Sequence, residues 1–492
     1  NVCADAAYMN TASQMHKRQI FFGGMSVKFL ASKRYTEPPL RVKAGDVVEV
    51  PWVLGQKFID EKEATFEPSH EGETVESAQY RTFTVENTEG LLEEGRDKPL
   101  KHRTIKLSSL KLAPVGYTAK GLASASGPAV KMLAGSPFKE PPRYGTAMDA
   151  FEDKEKGREA CEALHSLAES DSIRTIANTF LNSLPNLADA NGRVHTSLNI
   201  NTETGRLSSQ RPNLQNQPAL EKDTYKVRKA FKAAPGMKLI VADYGQLELR
   251  IMAHMTGCES MLEAFILGGD FHSRTAIDMY DNVKQAVDKG EVLLEWDKSK
   301  GEAPAPMLKD VYASERRKAK TLNFSIAYGK TKHGLAKDWN VSDKEAGETI
   351  ARWYAARKEV QAWQEEAREV AKRTMLTRTL LGRQRLVPEI NSNSNVAKGH
   401  ASRTVINTPI QGGAADVVAM GMVKIHRNKE LEELGWRMIL QIHDELILEG
   451  PEENAERAFE LVKECMQNPL ARPLRVALPV DGSIADNWYE GK

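Results

Sequence analysis

The sequence predicts an α+β protein in which a sheet, contributed by two distant stretches, carries acidic residues on either side of a basic helical block. Three observations predict it. In Val241-Ala242-Asp243-Tyr244-Gly245-Gln246-Leu247-Glu248-Leu249-Arg250 an aspartate stands where a compact apolar run ends. Far downstream, Gln441-Ile442-His443-Asp444-Glu445-Leu446 repeats that arrangement. Between them, Arg316-Arg317-Lys318-Ala319-Lys320-Thr321-Leu322-Asn323-Phe324-Ser325-Ile326-Ala327-Tyr328-Gly329 reads as a basic and aromatic helix.

A chain of 492 residues is long enough for roughly two to four domains. The formal net charge is only +1, yet charge is segregated. Residues 311–427 hold 21 Lys and Arg against 11 Asp and Glu, whereas 428–492 hold 7 against 14. A basic middle beside an acidic end suits a protein that holds polyanion in one region and metal in another, and equally suits lysine-rich helices solvating their outer faces. Cys3, Cys161, Cys258 and Cys465 are scattered, with no Cys-x-x-Cys pair, so neither a zinc knuckle nor a disulfide framework is expected, and free thiols fit a reducing compartment. No apolar run approaches the roughly eighteen residues of a membrane span. The chain does not begin with Met, and residues 1–10 lack a signal pattern.

The elements follow in order. Residues 10–24 read as a short helix stopped at Gly23-Gly24. Residues 38–142 mix acidic patches, a basic run and a small-residue stretch at 119–137, so loops and short strands are expected there. Residues 154–184 form an amphipathic helix or helix pair ended by Pro185, and 193–199 alternate as a strand. Residues 238–242 are a strand, 246–255 a helix, and Asp270 is placed to cap a helix over 271–280. Residues 281–308, polar with Pro304 and Pro306, read as an inserted surface loop, and helices dominate 311–373. Asn407-Thr408-Pro409-Ile410-Gln411-Gly412-Gly413 reads as a polar segment before an apolar helix over 414–426. Residues 436–448 return to strand texture, with His443-Asp444 at a hairpin bend.

The chemistry follows from these placements. Mg²⁺ is held by one or two carboxylates plus substrate phosphates, and a pair of ions roughly 4 Å apart clamps a phosphoryl displacement. A lone aspartate after a strand is usually a turn or cap residue. Asp243 and Asp444 together, each after a strand and flanking a basic block, are metal-ligand candidates; Tyr244 adds a backbone carbonyl, and Glu445 reads either as a third candidate or as a residue that merely lines the same cleft. Arg316, Lys320, Phe324 and Tyr328 recur every four residues and cover a stripe about 120° wide and about 18 Å long. Two cations followed by two rings match a triphosphate followed by sugar and base. The same pattern also reads as cations snorkelling above a Phe/Tyr core stripe. Thr204-Gly205-Arg206-Leu207-Ser208-Ser209 and Arg211-Pro212-Asn213-Leu214-Gln215-Asn216 form a donor-rich loop suited to duplex backbone and minor groove, and Gly382-Arg383-Gln384-Arg385 is a basic turn suited to template phosphate; taken alone, each of these segments reads more readily as a structural turn. Metal and triphosphate sites in one chain point to a nucleotidyl transferase.

These segments, in this order, resemble the family A DNA polymerases, the group of bacterial DNA polymerase I. Asp243-Tyr244-Gly245-Gln246-Leu247-Glu248-Leu249-Arg250 looks like that family's motif A, 316–329 its motif B, and His443-Asp444-Glu445 its motif C. The match covers 192–492, with a weaker one over 10–24. Within the family, Gly245, Ser325 and the 281–308 insertion resemble the plant and algal organellar enzymes. The resemblance implies a right-hand polymerase: thumb with insertions (1–185), palm with an antiparallel sheet (186–265 and 401–492), and helical fingers (266–400). It implies two Mg²⁺ ions on Asp243 and Asp444, with Tyr244 beside them. It implies a dNTP held by Arg316, Lys320, His272 and Gln246, with Lys320 also protonating pyrophosphate, Phe324 on the sugar, Tyr328 near the nascent pair, and Glu248 as a gate against the ribose 2′-hydroxyl. Arg206, Arg403, Asn407, Gln411, His443, Glu445 and Arg383 would contact primer–template DNA. Organellar replication proteins are further expected partners, and an organelle the expected location. No acidic constellation for a proofreading exonuclease is evident, so no proofreading by this chain is expected. The competing readings are a single-subunit RNA polymerase or reverse transcriptase, and an inactive DNA-binding accessory subunit.

Overall fold

Leu239-Ile240-Val241-Ala242 is apolar throughout because the strand it forms is covered on both faces. The structure, a computed structural model, describes residues 4–36, 38–92, 95–118, 120–218, 223, 225–266, 270–294, 296, 302–339 and 341–492. The chain divides into two compact units, Asn1–Asn186 and Leu187–Lys492.

In the second unit, β1 (Met237–Tyr244) is an inner strand of a four-stranded antiparallel sheet. In chain order the others are β2 (Arg437–Ile442), β3 (Glu445–Pro451) and β4 (Val480–Ala485), and the spatial order is β2-β3-β1-β4. Side chains alternate across a strand. Ile240, Ala242 and Tyr244 therefore enter the main core with Leu446 and Leu448, while Leu239 and Val241 join Ile442, Ile447 and Trp488 on the other face. The register sets Asp243 opposite Glu445 on β3 and opposite Asp481 on β4. His443, at φ 53°, makes the tight turn between β2 and β3, as the hairpin bend predicts.

Helices cover the sheet and form a second layer: α1 (Leu247–Thr256), α2 (Phe271–Met279), α3 (Asp281–Asp288), α4 (Ala313–Ala327), α5 (Asp343–Ala355), α6 (Asn395–Arg427) and α7 (Ala455–Gln467). Asp270 caps α2 as expected, accepting from the backbone N–H of His272 and Ser273. On α4 the core is entered by Ala319, Leu322, Asn323, Ile326 and Ala327, whereas Phe324 and Tyr328 are only half-buried, Tyr328 packing at the margin of that core, so the two rings do not form its central stripe.

Three sequence expectations need correction. Residues 281–308 are not simply a surface loop: α3 buries Val283 and Ala286 against Ala276, Leu308 and Ala319, and Leu293 bridges Met307. Its polar composition hid two apolar positions on one helix face; residues 295 and 297–301 lie outside the described residues. Second, 407–413 is not a segment before a helix but lies inside α6. Pro409 has no N–H for the Val405 carbonyl, and the Thr377 hydroxyl donates to that carbonyl instead, at 3.2 Å. Gly412 is required by close approach, since a Cβ there would lie 2.5 Å from Thr379 Cγ2. Third, only Ser197–Asn199 of the expected strand over 193–199 pairs as a strand, with Ser208–Gln210.

In the first unit, Gln14–Phe22, Gly127–Ala134 and Lys154–Ile176 are helices that share a core of Phe21, Leu107, Leu133 and Leu164. The small-residue stretch thus contains a helix. Residues 25–107 hold a three-stranded antiparallel sheet, with Met25–Phe29 between Val47–Val50 and Ala64–Phe66, and a hairpin of Arg81–Glu86 with His102–Leu107.

Candidate active site

The sheet brings Asp243, Glu445 and Asp481 onto one face, because directly paired residues project to the same side. Like charges placed so are unfavourable. Lys492 offsets them: its ammonium lies 3.4 Å from Asp243 Oδ2 and bonds Glu445 Oε2. Glu445 is buried and also accepts from the Trp488 indole N–H at 2.7 Å. Asp444 sits at the hairpin turn, and its carbonyl accepts from the Tyr244 backbone N–H at 3.2 Å. The Tyr244 side chain turns into the core, so only its backbone remains for the site.

Burial pushes the carboxyls of both Asp243 and Asp444 above the usual range, Asp444 to about 6. Lys492 works against the shift at Asp243, and Arg206 against that at Asp444. Among the described residues no three or more acidic, His or Cys side chains are grouped to hold a metal, but two carboxyls that resist ionisation would be relieved by a divalent cation completed by substrate phosphates, so Asp243 and Asp444 fit Mg²⁺. A stability consequence follows. A carboxyl whose pKa is raised on folding costs stability as pH climbs from about 4 through about 6, and the whole cost remains above that. Asp444→Asn, which cannot ionise, should therefore stabilise the metal-free protein at pH 7.5 by about 1–3 kcal/mol and give no gain at pH 4. Urea unfolding at the two pH values checks this; an unchanged or lower midpoint at pH 7.5 rejects it.

A cleft of about 660 Å³ runs along α4, lined by Arg316, Arg317, Lys320, Phe324, Tyr328, Lys330 and Arg403 among others. The predicted stripe faces it in order. The Phe324 and Tyr328 rings stack at 5.9 Å between centroids, and His272 lies tilted 5.7 Å from Phe324. Arg316 Nε bonds Asp270, which also receives the Gln246 amide at 3.4 Å. His272 is buried, and its pKa falls to about 4, chiefly through burial.

One connected path joins this cleft to the carboxylates. The Tyr328 hydroxyl donates to Glu248 Oε2, the Arg206 guanidinium bonds Glu248 Oε1, and the same guanidinium lies 3.7 Å from Asp444 Oδ1. Glu248 is therefore held from both sides. On α6, Arg403, Asn407 and Gln411 fall at spacings of four on one face, and Asn407 donates to Gln411 at 3.2 Å. His443 is exposed at the turn. Arg383 is occupied within the fold, since it donates to the Thr204 carbonyl at 3.0 Å and to Asp416 at 2.8 Å. It lies so close to Gly205 (φ 80°) that a Cβ there would meet it at 2.3 Å. That geometry makes it a brace between loop and helix.

Sequence reasoning missed Lys492 and Asp481, which become neighbours of Asp243 only through strand pairing. It read Asp270 as a cap alone, although the residue also holds Arg316 and Gln246.

The model of DNA polymerase family A matches residues 132–291 and 302–490. The chain belongs to DNA polymerase family A. The break at 292–301 falls inside the segment read as an insertion. The chain is 44% identical over 540 residues to DNA polymerase I B, chloroplastic/mitochondrial, of Arabidopsis thaliana, covering 100% of this chain and 48% of that protein. It is 46% identical over 525 residues to DNA polymerase I A, chloroplastic, of Oryza sativa subsp. japonica, covering 100% and 47%. The thermostable DNA polymerase I of Thermus aquaticus is 36% identical over 337 residues, 68% of this chain and 37% of that one. The chain thus spans about half the length of its plant relatives. Among solved structures, the POL domain of Pol1 from M. smegmatis, in complex with DNA primer-template and dNTP, superposes with a TM-score of 0.62 and 28% identity, covering 78% of this chain and 59% of that one. The family and this likeness agree with the right-hand α+β architecture. Among the described residues, no helix is long and apolar enough to cross a membrane.

Proposed function

We propose that this chain is the catalytic part of a DNA-directed DNA polymerase that adds dNTPs to a primer 3′-hydroxyl. The observation that carries the proposal is the path Tyr328–Glu248–Arg206–Asp444, which ties a cation-and-ring cleft sized for a nucleotide to a pair of metal-competent carboxylates. The 3′-oxygen forms a bond to the α-phosphorus, the bond to pyrophosphate breaks, and the hydroxyl proton is released. Asp243 and Asp444, with the Tyr244 carbonyl, would hold two Mg²⁺ ions, whose charge would favour the ionised 3′-oxygen and neutralise the phosphates.

The protein's own groups do the positioning. Arg316 exchanges Asp270 for phosphate oxygens, and Lys320 binds the phosphates and delivers a proton to the departing pyrophosphate. Phe324 packs on the sugar, Tyr328 against the nascent pair, and His272 and Gln246 complete the nucleotide site. Glu248, fixed by Tyr328 and Arg206, occupies the space a 2′-hydroxyl would need. Arg206, Arg403, Asn407 and Gln411 face the primer–template minor groove, with His443 at the primer end and Glu445 and Arg383 bracing from behind. In this reading the palm is 186–265 and 401–492, the fingers 266–400 and the thumb 1–185. The setting is a chloroplast or mitochondrion, as the names of the plant relatives suggest, with organellar replication proteins as partners.

The test is Mg²⁺-dependent extension of a labelled primer, comparing dNTPs with NTPs on DNA and RNA templates. Extension by dNTPs on DNA supports the proposal. Preference for NTPs or for an RNA template supports the RNA polymerase or reverse-transcriptase reading, and DNA binding without extension the accessory-subunit one. Glu248→Ala should lower discrimination against ribonucleotides by on the order of 10²-fold, since the carboxylate is the group that excludes the hydroxyl. Competitive incorporation measures it; unchanged selectivity removes Glu248 from that role.

A further inference from the structure

We infer that Asn323 is a positioning residue that fixes His272 as the tautomer protonated at Nε2, so that the ring offers the triphosphate a neutral N–H donor. The inference rests on the reading of His272 as a nucleotide contact.

Asn323 is fully buried on α4, one residue before Phe324. Its amide has three partners. Trp353 Nε1, on α5, lies 2.8 Å from Asn323 Oδ1. His272 Nδ1 and Thr275 Oγ1, both on α2, lie 3.1 Å and 3.0 Å from Asn323 Nδ2. An indole N–H only donates, so the asparagine atom facing Trp353 is the oxygen. The amide nitrogen therefore faces His272 and Thr275. The Thr275 hydroxyl has two acceptors in reach, the Phe271 carbonyl at 2.9 Å and Asn323 Oδ1 at 3.3 Å; with its proton on the nearer, its oxygen accepts from Asn323 Nδ2. An amide NH₂ only donates, so His272 Nδ1 presents a lone pair. The proton of the neutral imidazole then resides on Nε2.

The chain of constraint is directional: the indole sets the amide, and the amide sets the imidazole. A protonated ring would oppose two donors at the Asn323 contact. The surroundings agree. Burial, Arg316 and Lys320 on α4 all favour the neutral ring, while Asp270 at the start of α2 opposes them. The alternative tautomer would aim a lone pair at phosphate oxygens. Every polar atom of the Asn323 side chain is used in this arrangement, which accounts for a fully buried amide in an otherwise apolar stripe.

The experiment uses the full chain with ¹⁵N-labelled histidine at neutral pH, the His272 signals being those lost in His272→Ala. The expected result is the Nε2–H tautomer; an Nδ1–H tautomer in the wild type overturns the inference. Asn323→Asp keeps the side-chain shape and the Trp353 bond but replaces the donor with an acceptor. It should move the proton to Nδ1 and weaken dNTP binding about tenfold, with primer–template affinity unchanged. Trp353→Phe frees the amide to flip and should give a mixture of tautomers, which provides a test if Asn323→Asp does not fold. An unchanged tautomer in a folded Asn323→Asp, or in Trp353→Phe where Asn323→Asp does not fold, overturns the inference. His272→Ala separates the two levels. If it leaves dNTP affinity intact, the nucleotide role of His272 fails while the tautomer assignment stands on the NMR; if it weakens dNTP binding and the wild-type tautomer is Nδ1–H, only the role of Asn323 fails.

Discussion

Asp243→Ala and Asp444→Ala should each lower Mg²⁺-dependent primer extension by on the order of 10³-fold or more, with primer–template affinity within about twofold of wild type. The two residues reach the site from different elements, a strand and a hairpin turn, and are not interchangeable. Asp243 is the penultimate residue of β1, and Asp444 sits in the β2–β3 turn. Neither side chain is part of the core: they retain 39% and 25% of their accessibility, so alanine removes a ligand without opening a cavity. Removing Asp243 leaves Lys492 paired with Glu445, and removing Asp444 leaves Arg206 paired with Glu248, so the surrounding charges stay matched. The loss should therefore appear in single-turnover extension and not in DNA anisotropy titrations, while Asp444→Ala, which also lacks the carboxyl that resists ionisation, should melt no lower than wild type at pH 7.5. Synthesis within about tenfold of wild type by both variants would sink the two-ion assignment.

Much of this site is legible in the amino-acid sequence. Residues 238–242 announce a strand because an apolar run without alternation needs cover on both faces, and the fold supplies it. The four-residue spacing of Arg316, Lys320, Phe324 and Tyr328 needs no tertiary information to define a stripe. Which way the stripe faces does need it, and the burial of Leu322 and Ile326 decides the matter. Long-range pairing is invisible in the sequence. Asp481 and Lys492 carry no local signal, and they matter only because β4 runs beside β1 and the following residues return to Asp243. The same limit hides the continuity of α6 through Pro409, since the Thr377 hydroxyl that answers the freed Val405 carbonyl lies on a different element. Arg383 shows how a basic turn carries two readings, phosphate grip or structural turn, and Asp416 and the Thr204 carbonyl in contact with its guanidinium favour the structural one.

Lys320→Ala should slow nucleotide incorporation by on the order of 10²–10³-fold and weaken dNTP binding, a larger effect than that of Arg316→Ala. The difference comes from what each cation touches without a nucleotide. Arg316 is bonded to Asp270, so phosphate binding breaks one ion pair to make another and the net gain is small. Lys320 is exposed on the cleft, and among the described residues no carboxylate is paired with it, so its full charge is available to phosphate. Lys320→Arg then separates binding from proton delivery. A guanidinium keeps the charge and its phosphate contacts but does not give up a proton near neutral pH. Affinity for dNTP should return to within a few-fold of wild type while the incorporation rate stays depressed by on the order of 10²-fold. Rapid-quench measurement of rate against dNTP concentration yields both constants. Full recovery of the rate by arginine would reduce Lys320 to a phosphate anchor, and no recovery of affinity would show that its ammonium geometry, rather than its charge, is what the triphosphate requires.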